Sequence, residues 1–213
     1  MRIFLFAILL TQVFFATAQT AVKDSTIFKD SIDKVLKKLK KDSADNAFLE
    51  KATYPLIKSS KWSGVIPVAH INEKPDTKQH YKLLMEVVSS IDDSVKAKEI
   101  INGFSEVGRL INLHIASGID KKNLEVVIVV HGGALNALLT NENYKEKYKT
   151  DNPNLPLIQE LKNAGAKLIV CGQAMFFFNV KQEKMIPDLK VSLTAQTVLS
   201  NYQQKGYVLY TLW

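Results

Sequence analysis

Apolar residues along this chain fall into short blocks, and the spacing within each block predicts its secondary structure. Residues 125–130 (EVVIVV) are apolar on both faces, as a strand buried between two helix layers must be. Residues 81–88 (YKLLMEVV), 166–170 (AKLIV) and 207–212 (YVLYTL) read as further strands, and residues 191–193 are a shorter candidate. Between these blocks the period lengthens to that of a helix. Residues 95–117 place Ala97, Ile100, Ile101, Phe104, Gly108 and Ile111 on one face. Residues 156–164 form a second helix, closed by Gly165 as a C-terminal cap. Residues 195–204 form a third, with Ala195, Val198, Leu199 and Tyr202 inward and Gly206 as its stop. Another helix is expected after the turn His131-Gly132-Gly133. This alternation predicts βαβ units with right-handed crossovers. The expected fold is α/β: three α/β/α layers around a mainly parallel sheet of about five strands, flavodoxin-like in architecture.

The chain before residue 78 has a different texture. Arg2, an apolar run over residues 3–15 and the small-x-small site Ala16-Thr17-Ala18 have the layout of a secretory signal peptide, cut after Ala18. The run is shorter than the roughly 20 residues a spanning helix needs, so no stable membrane insertion is expected after cleavage. Residues 31–41 carry Ile32, Val35, Leu36 and Leu39 at helical spacing with lysines opposite, a short basic amphipathic helix. Residues 54–68 look irregular or hairpin-like, and residues 72–77 form a polar, proline-containing loop. The expected organisation is a signal at 1–18, an N-terminal extension at 19–77 and an α/β domain at 78–213. The signal implies a periplasmic or secreted protein.

Charge narrows the partners. The formal net charge is +7, and ten lysines face six acids between Lys23 and Lys61. Lysine without arginine or interleaved aromatics makes a solvated surface, not a nucleic-acid surface, so no nucleic acid is expected. The four histidines (His70, His80, His114, His131) show no metal-ligand spacing, and no metal or cofactor is implied.

Cys171 is the only cysteine, which excludes an intramolecular disulfide. It is an inert buried residue, half of an intermolecular disulfide, or a reactive thiol. In an open parallel sheet, ligands bind at the carboxyl ends of strands, and two turns with unusual residues sit there. One is His131-Gly132-Gly133, where an imidazole meets exposed backbone N–H groups that could cradle an anion or simply close a tight turn. It has neither a dinucleotide fingerprint nor a P-loop ending. The other is Cys171-Gly172-Gln173, where a thiol preceding a helix would gain thiolate character. Three phenylalanines at 176–178 cannot all face one core; at least one lines a pocket or a subunit interface, or the segment is wholly buried.

These residues resemble the DsrE/DsrF-like family of sulfur-relay proteins, in its exported branch. The carriers are residues 123–135 (NLEVVIVVHGGAL), residues 161–172 (LKNAGAKLIVCG) with Gln173, and the turn Lys205-Gly206-Tyr207. The resemblance runs from about residue 81 to the end. It implies a three-layer domain assembling into homo- or hetero-oligomers. It also implies that Cys171 carries sulfane sulfur as a persulfide between a donor and an acceptor. His131 would then assist proton movement, while Gly132, Gly133, Gly172 and Gln173 would line the substrate. Relays of this kind work in the cytoplasm, whereas an exported chain meets other partners. A non-catalytic oligomeric binding or assembly module with a buried structural cysteine remains the alternative. A Cys–His hydrolase is a weaker third reading, for want of a group to orient the histidine. Whether the chain is an enzyme is left open.

Overall fold

The computed structural model describes residues 29–91 and 94–213, so the expected export signal lies outside the described residues. The chain divides into two compact units, one ending at Glu50 and one running from Lys51 to Trp213. In the first, the described residues form a helix, α1, which spans residues 29–51. It outruns the expected 31–41 because neither Gly nor Pro interrupts the sequence until Pro55. Ile32, Val35, Leu36 and Leu39 are exposed along it. No helix among the described residues is long and apolar enough to cross a membrane.

The second unit is the expected α/β fold. Its strands are β1 (Tyr81–Val87), β2 (Leu124–Val130), β3 (Lys167–Cys171), β4 (Lys190–Ser192) and β5 (Val208–Leu212). They form one sheet in the order β4-β3-β2-β1-β5, and every pair is parallel. The helices are α2 (Asn102–Ala116), α3 (Asn141–Tyr148), α4 (Leu155–Asn163), α5 (Gly172–Phe177) and α6 (Ala195–Gln204). From β1 to β4 the chain steps one way across the sheet, and α6 then carries it back past β1 to β5. Right-handed crossovers in opposite directions put their helices on opposite faces. Accordingly α2 and α4 pack together, while α6 lies against β1, β2 and β5.

Register assigns each side chain to a face. Leu83, Met85 and Val87 pair with Val126, Ile128 and Val130 on the α2 side; Leu84 and Glu86 pair with Val127 and Val129 on the α6 side. Val126 to Val130 are all buried, which is what an unbroken apolar run requires of a central strand. Phe104, Val107 and Ile111 of α2 complete that core. Each such side chain contributes about 1.5–3 kcal/mol by leaving water.

Three expectations need correction. The helix expected over 95–117 starts at Asn102, because Glu99 is extended (φ −118°, ψ 153°) and the Ile101 N–H donates to Asn154 Oδ1 at 2.9 Å. A 3-10 segment, Gly132–Leu138, replaces the helix expected after His131. The compact unit begins at Lys51, not at residue 78, because residues 51–65 are fastened to α2 and α4. Asn112, fully buried on α2, accepts the Leu56 and Ile57 N–H groups at 3.0 and 2.8 Å. It also donates to the Ile57 and Ser63 carbonyls at 2.7 and 2.8 Å. The Glu160 carboxylate on α4 accepts the Lys58 and Ser59 N–H groups. An isolated antiparallel bridge joins Thr53 to Val65, all that remains of the expected hairpin.

Candidate functional site at the carboxyl edge of the sheet

The strands deliver a row of polar side chains to one edge of the sheet. Glu86 pairs with Val129 on one side and with Thr211 on the other. Val130 pairs with Val170, and Cys171 with Ser192. His131 continues β2 in extended conformation (φ −150°, ψ 179°), so its side chain follows Val127 and Val129 onto the α6 side. Thr211, Glu86, His131, Cys171 and Ser192 therefore share one face at the carboxyl ends of all five strands.

Within the row, one cluster is joined by hydrogen bonds. His131 Nε2 lies 2.9 Å from Glu86 Oε1, and the Thr211 hydroxyl donates to Glu86 Oε2 at 2.7 Å. The His131 and Glu86 side chains are 21% and 16% exposed, too buried for solvent to screen the pair fully. Sequence reading missed Glu86 and Thr211. The available signal was Glu86 itself, the single acid in β1.

Cys171 is the last residue of β3 and caps α5, its Sγ accepting the Ala174 N–H at 3.4 Å. It is 4% exposed and belongs to the hydrophobic core. His131 is its cross-strand neighbour, but no hydrogen bond joins them. The imidazole is committed to Glu86.

The flanking glycines have steric reasons to be there. Gly132 has φ +61°, left-handed backbone that L side chains rarely adopt. A Cβ on Gly172 would stand 2.8 Å from the Ser192 carbonyl oxygen, and one on Gly133 2.5 Å from Ser90 Cβ. Gln173 is exposed, and its backbone N–H already donates to the Leu193 carbonyl at 3.1 Å. Of its donors, the side-chain amide is the one without a backbone partner.

Beside Cys171, the surface is apolar. Phe176, Phe177 and Leu193 are 81%, 77% and 75% exposed, and Phe178 is exposed too. That corrects the wholly buried reading of the 176–178 segment. Among the described residues no group of three or more His, Cys, Asp or Glu could hold a metal ion.

The family model described as DsrE/DsrF-like matches residues 101–211, more than half of the chain. The chain belongs to the DsrE/DsrF-like family. Within this DsrE/DsrF-like segment lie His131, Cys171 and Thr211, while Glu86 on β1 precedes it. A solved structure of a protein of unknown function from Methanobacterium thermoautotrophicum is similar over 62% of this chain and 98% of that chain, at 13% identity and TM-score 0.45. No curated protein matches the chain.

Proposed function

We propose that this DsrE/DsrF-like protein is an exported sulfur carrier in which Cys171 holds sulfane sulfur as a persulfide. The observation that carries the reading is the placement of Cys171. It is the chain's one thiol, at the carboxyl edge of a parallel sheet, with a backbone N–H directed at its sulfur. Thiolate is the nucleophile in sulfur exchange of this kind. The Cys171 thiolate attacks the sulfane sulfur of a polysulfide or persulfide donor. A Cys–S–S bond forms, the donor's S–S bond breaks, and the donor leaves one sulfur shorter as a thiolate. An acceptor thiolate then takes the outer sulfur and returns Cys171 to thiolate, so no oxidant or reductant is consumed. A single cysteine suits this exchange, since a disulfide oxidoreductase needs a resolving thiol.

The apolar rim of Phe176, Phe177 and Leu193 supports a protein surface beside the thiol, either another copy of this chain or a donor or acceptor protein. The N-terminal signal pattern supports a periplasmic or secreted location. Export removes the carrier from cytoplasmic relays, so its donor and acceptor are extracytoplasmic.

A second reading stands on the burial of Cys171: an oligomeric binding or assembly module whose cysteine is structural. Intact-mass spectrometry of the purified protein, before and after exposure to inorganic polysulfide, separates the two. A carrier gains the mass of one sulfur atom, loses it to reductant, and gains none as Cys171→Ser. A native thiol that stays unmodified, reacting only after denaturation, leaves the assembly module as the function.

A further inference from the structure

An acid inside a parallel sheet must recover its desolvation cost from its partners. Glu86, the one acid of β1, does so with both oxygens: Oε1 meets His131 Nε2 at 2.9 Å and Oε2 accepts the Thr211 hydroxyl at 2.7 Å. An ionised carboxylate only accepts hydrogen bonds, so the imidazole nitrogen facing it must carry a proton. In the neutral ring the lone pair is then on Nδ1. The opposite tautomer would set the Nε2 lone pair against the Oε1 lone pairs.

We infer that Glu86 is a positioning residue that fixes His131 as its Nε2–H tautomer and makes Nδ1 the proton acceptor for chemistry at Cys171. The inference rests on the sulfur-carrier reading for its chemistry, though not for its tautomer. Val130 and Val170 are paired across β2 and β3, and His131 and Cys171 are the next residues, on the same face. Neighbouring strand backbones run about 4.8 Å apart, so the two side chains stand next to each other on that face. The Cys171 thiol gives its proton to Nδ1, and the resulting imidazolium is held by the Glu86 carboxylate. The thiolate forms its bond to the donor's sulfane sulfur while the donor's S–S bond breaks. The leaving thiolate then takes the proton back from His131, so the pair returns to its starting state. Thr211 fixes the rotation of the carboxylate by engaging its second oxygen.

Among the described residues no other charged group bonds to this imidazole. On the same face, Lys190 is on β4, and Lys82, Glu125 and Lys167 lie toward the opposite end of the sheet. Glu125 is engaged by the Tyr207 hydroxyl and Lys167 by the Tyr202 hydroxyl. Helix α6, which covers this face, contributes no charged side chain (AQTVLSNYQQ).

The test has two readouts. Long-range proton–nitrogen NMR of the wild-type imidazole, at a pH where it is neutral, assigns the protonated nitrogen. Stopped-flow addition of inorganic polysulfide, followed by intact mass, gives the rate of sulfur uptake at Cys171. We expect Nε2–H alone in the wild type. In Glu86→Gln we expect a tautomer mixture, because a carboxamide both donates and accepts. Uptake in that variant should slow about tenfold or more, less than the roughly 10²–10⁴-fold a general base contributes because the base itself remains, and still end at one sulfur per chain. A wild-type ring protonated on Nδ1, or Glu86→Gln uptake at the wild-type rate, overturns the inference. A wild-type Cys171 that takes no sulfur overturns the carrier reading and the proton role with it. The tautomer of the unaltered protein is read independently of that result and of how well the variant folds.

Discussion

Replacing Asn112 by alanine tests how residues 51–65 are held to the α/β unit. The amide is fully buried and makes four hydrogen bonds of 2.7–3.0 Å, to Leu56, Ile57 (N–H and carbonyl) and Ser63. Each is worth about 0.5–1.5 kcal/mol net, and backbone groups left buried without partners cost more than that average. Some of the four regain water once the segment loosens, so the expected loss is about 3 kcal/mol. That is a large share of the roughly 5–15 kcal/mol by which domains are stable. Asn112→Asp gives an internal control. It keeps an acceptor for Leu56 and Ile57, loses both donated bonds, and places a carboxylate in a site with no exposure. The assay is urea unfolding in a Trp213→Phe background, which leaves Trp62 as the sole tryptophan, excited selectively over the seven tyrosines at the red edge. Trp62 is on the 3-10 turn that Asn112 fastens, so fluorescence follows the segment while far-UV circular dichroism follows the sheet. Both variants should unfold earlier, and fluorescence should lead dichroism. A loss below about 1 kcal/mol with superimposed transitions would refute the clamp.

Gly132→Ala should cost about 1–2 kcal/mol from its left-handed backbone alone, since a Cβ there meets nothing within 4 Å. Gly132→Asn should cost less, and equal melting temperatures for both variants and wild type would contradict this. Burial raises the Tyr144 and Tyr207 hydroxyls above their usual value of 10, and Tyr207 is raised further by its bond to Glu125. Above about pH 10 the unfolded chain releases protons that the native state keeps, so stability falls as pH rises. Absorbance at alkaline pH should show at least two of the seven tyrosines ionising later than the rest in the native protein; all seven titrating together would sink the claim. Replacing Phe176 and Phe177 by serine should lower the assembly mass measured by light scattering without changing the melting temperature of a dilute sample. An unchanged mass removes those rings from the proposed interface.

The α/β layers were legible because hydrophobic period reports burial directly. EVVIVV has no polar face to offer solvent, so a central parallel strand is the one place it fits. Boundaries were legible only where local chemistry sets them. Gly206 ended α6 where expected, but the start of α2 depends on Asn154 Oδ1, far away in sequence, taking the Ile101 N–H. Residues 51–65 were misassigned for the same reason. Their backbone groups are satisfied by Asn112 and Glu160, and no pattern in a polar, irregular segment announces a partner on a distant helix.

The site divides along the same line. His131 and Cys171 were visible because each ends an apolar strand beside glycine. Glu86 was in view as well, an acid at the sixth position of an otherwise mostly apolar β1, but its meaning depends on register. Only the sheet order β2-β1-β5 sets it between His131 and Thr211. Had β5 extended β4 instead, the same carboxylate would face open solvent without Thr211 on an edge strand, and the imidazole would have a looser anchor. The return crossover through α6, which places β5 beside β1, is therefore also what completes the polar row. The last strand was read from the sequence only as one more strand of the sheet, and the topology makes it part of the site.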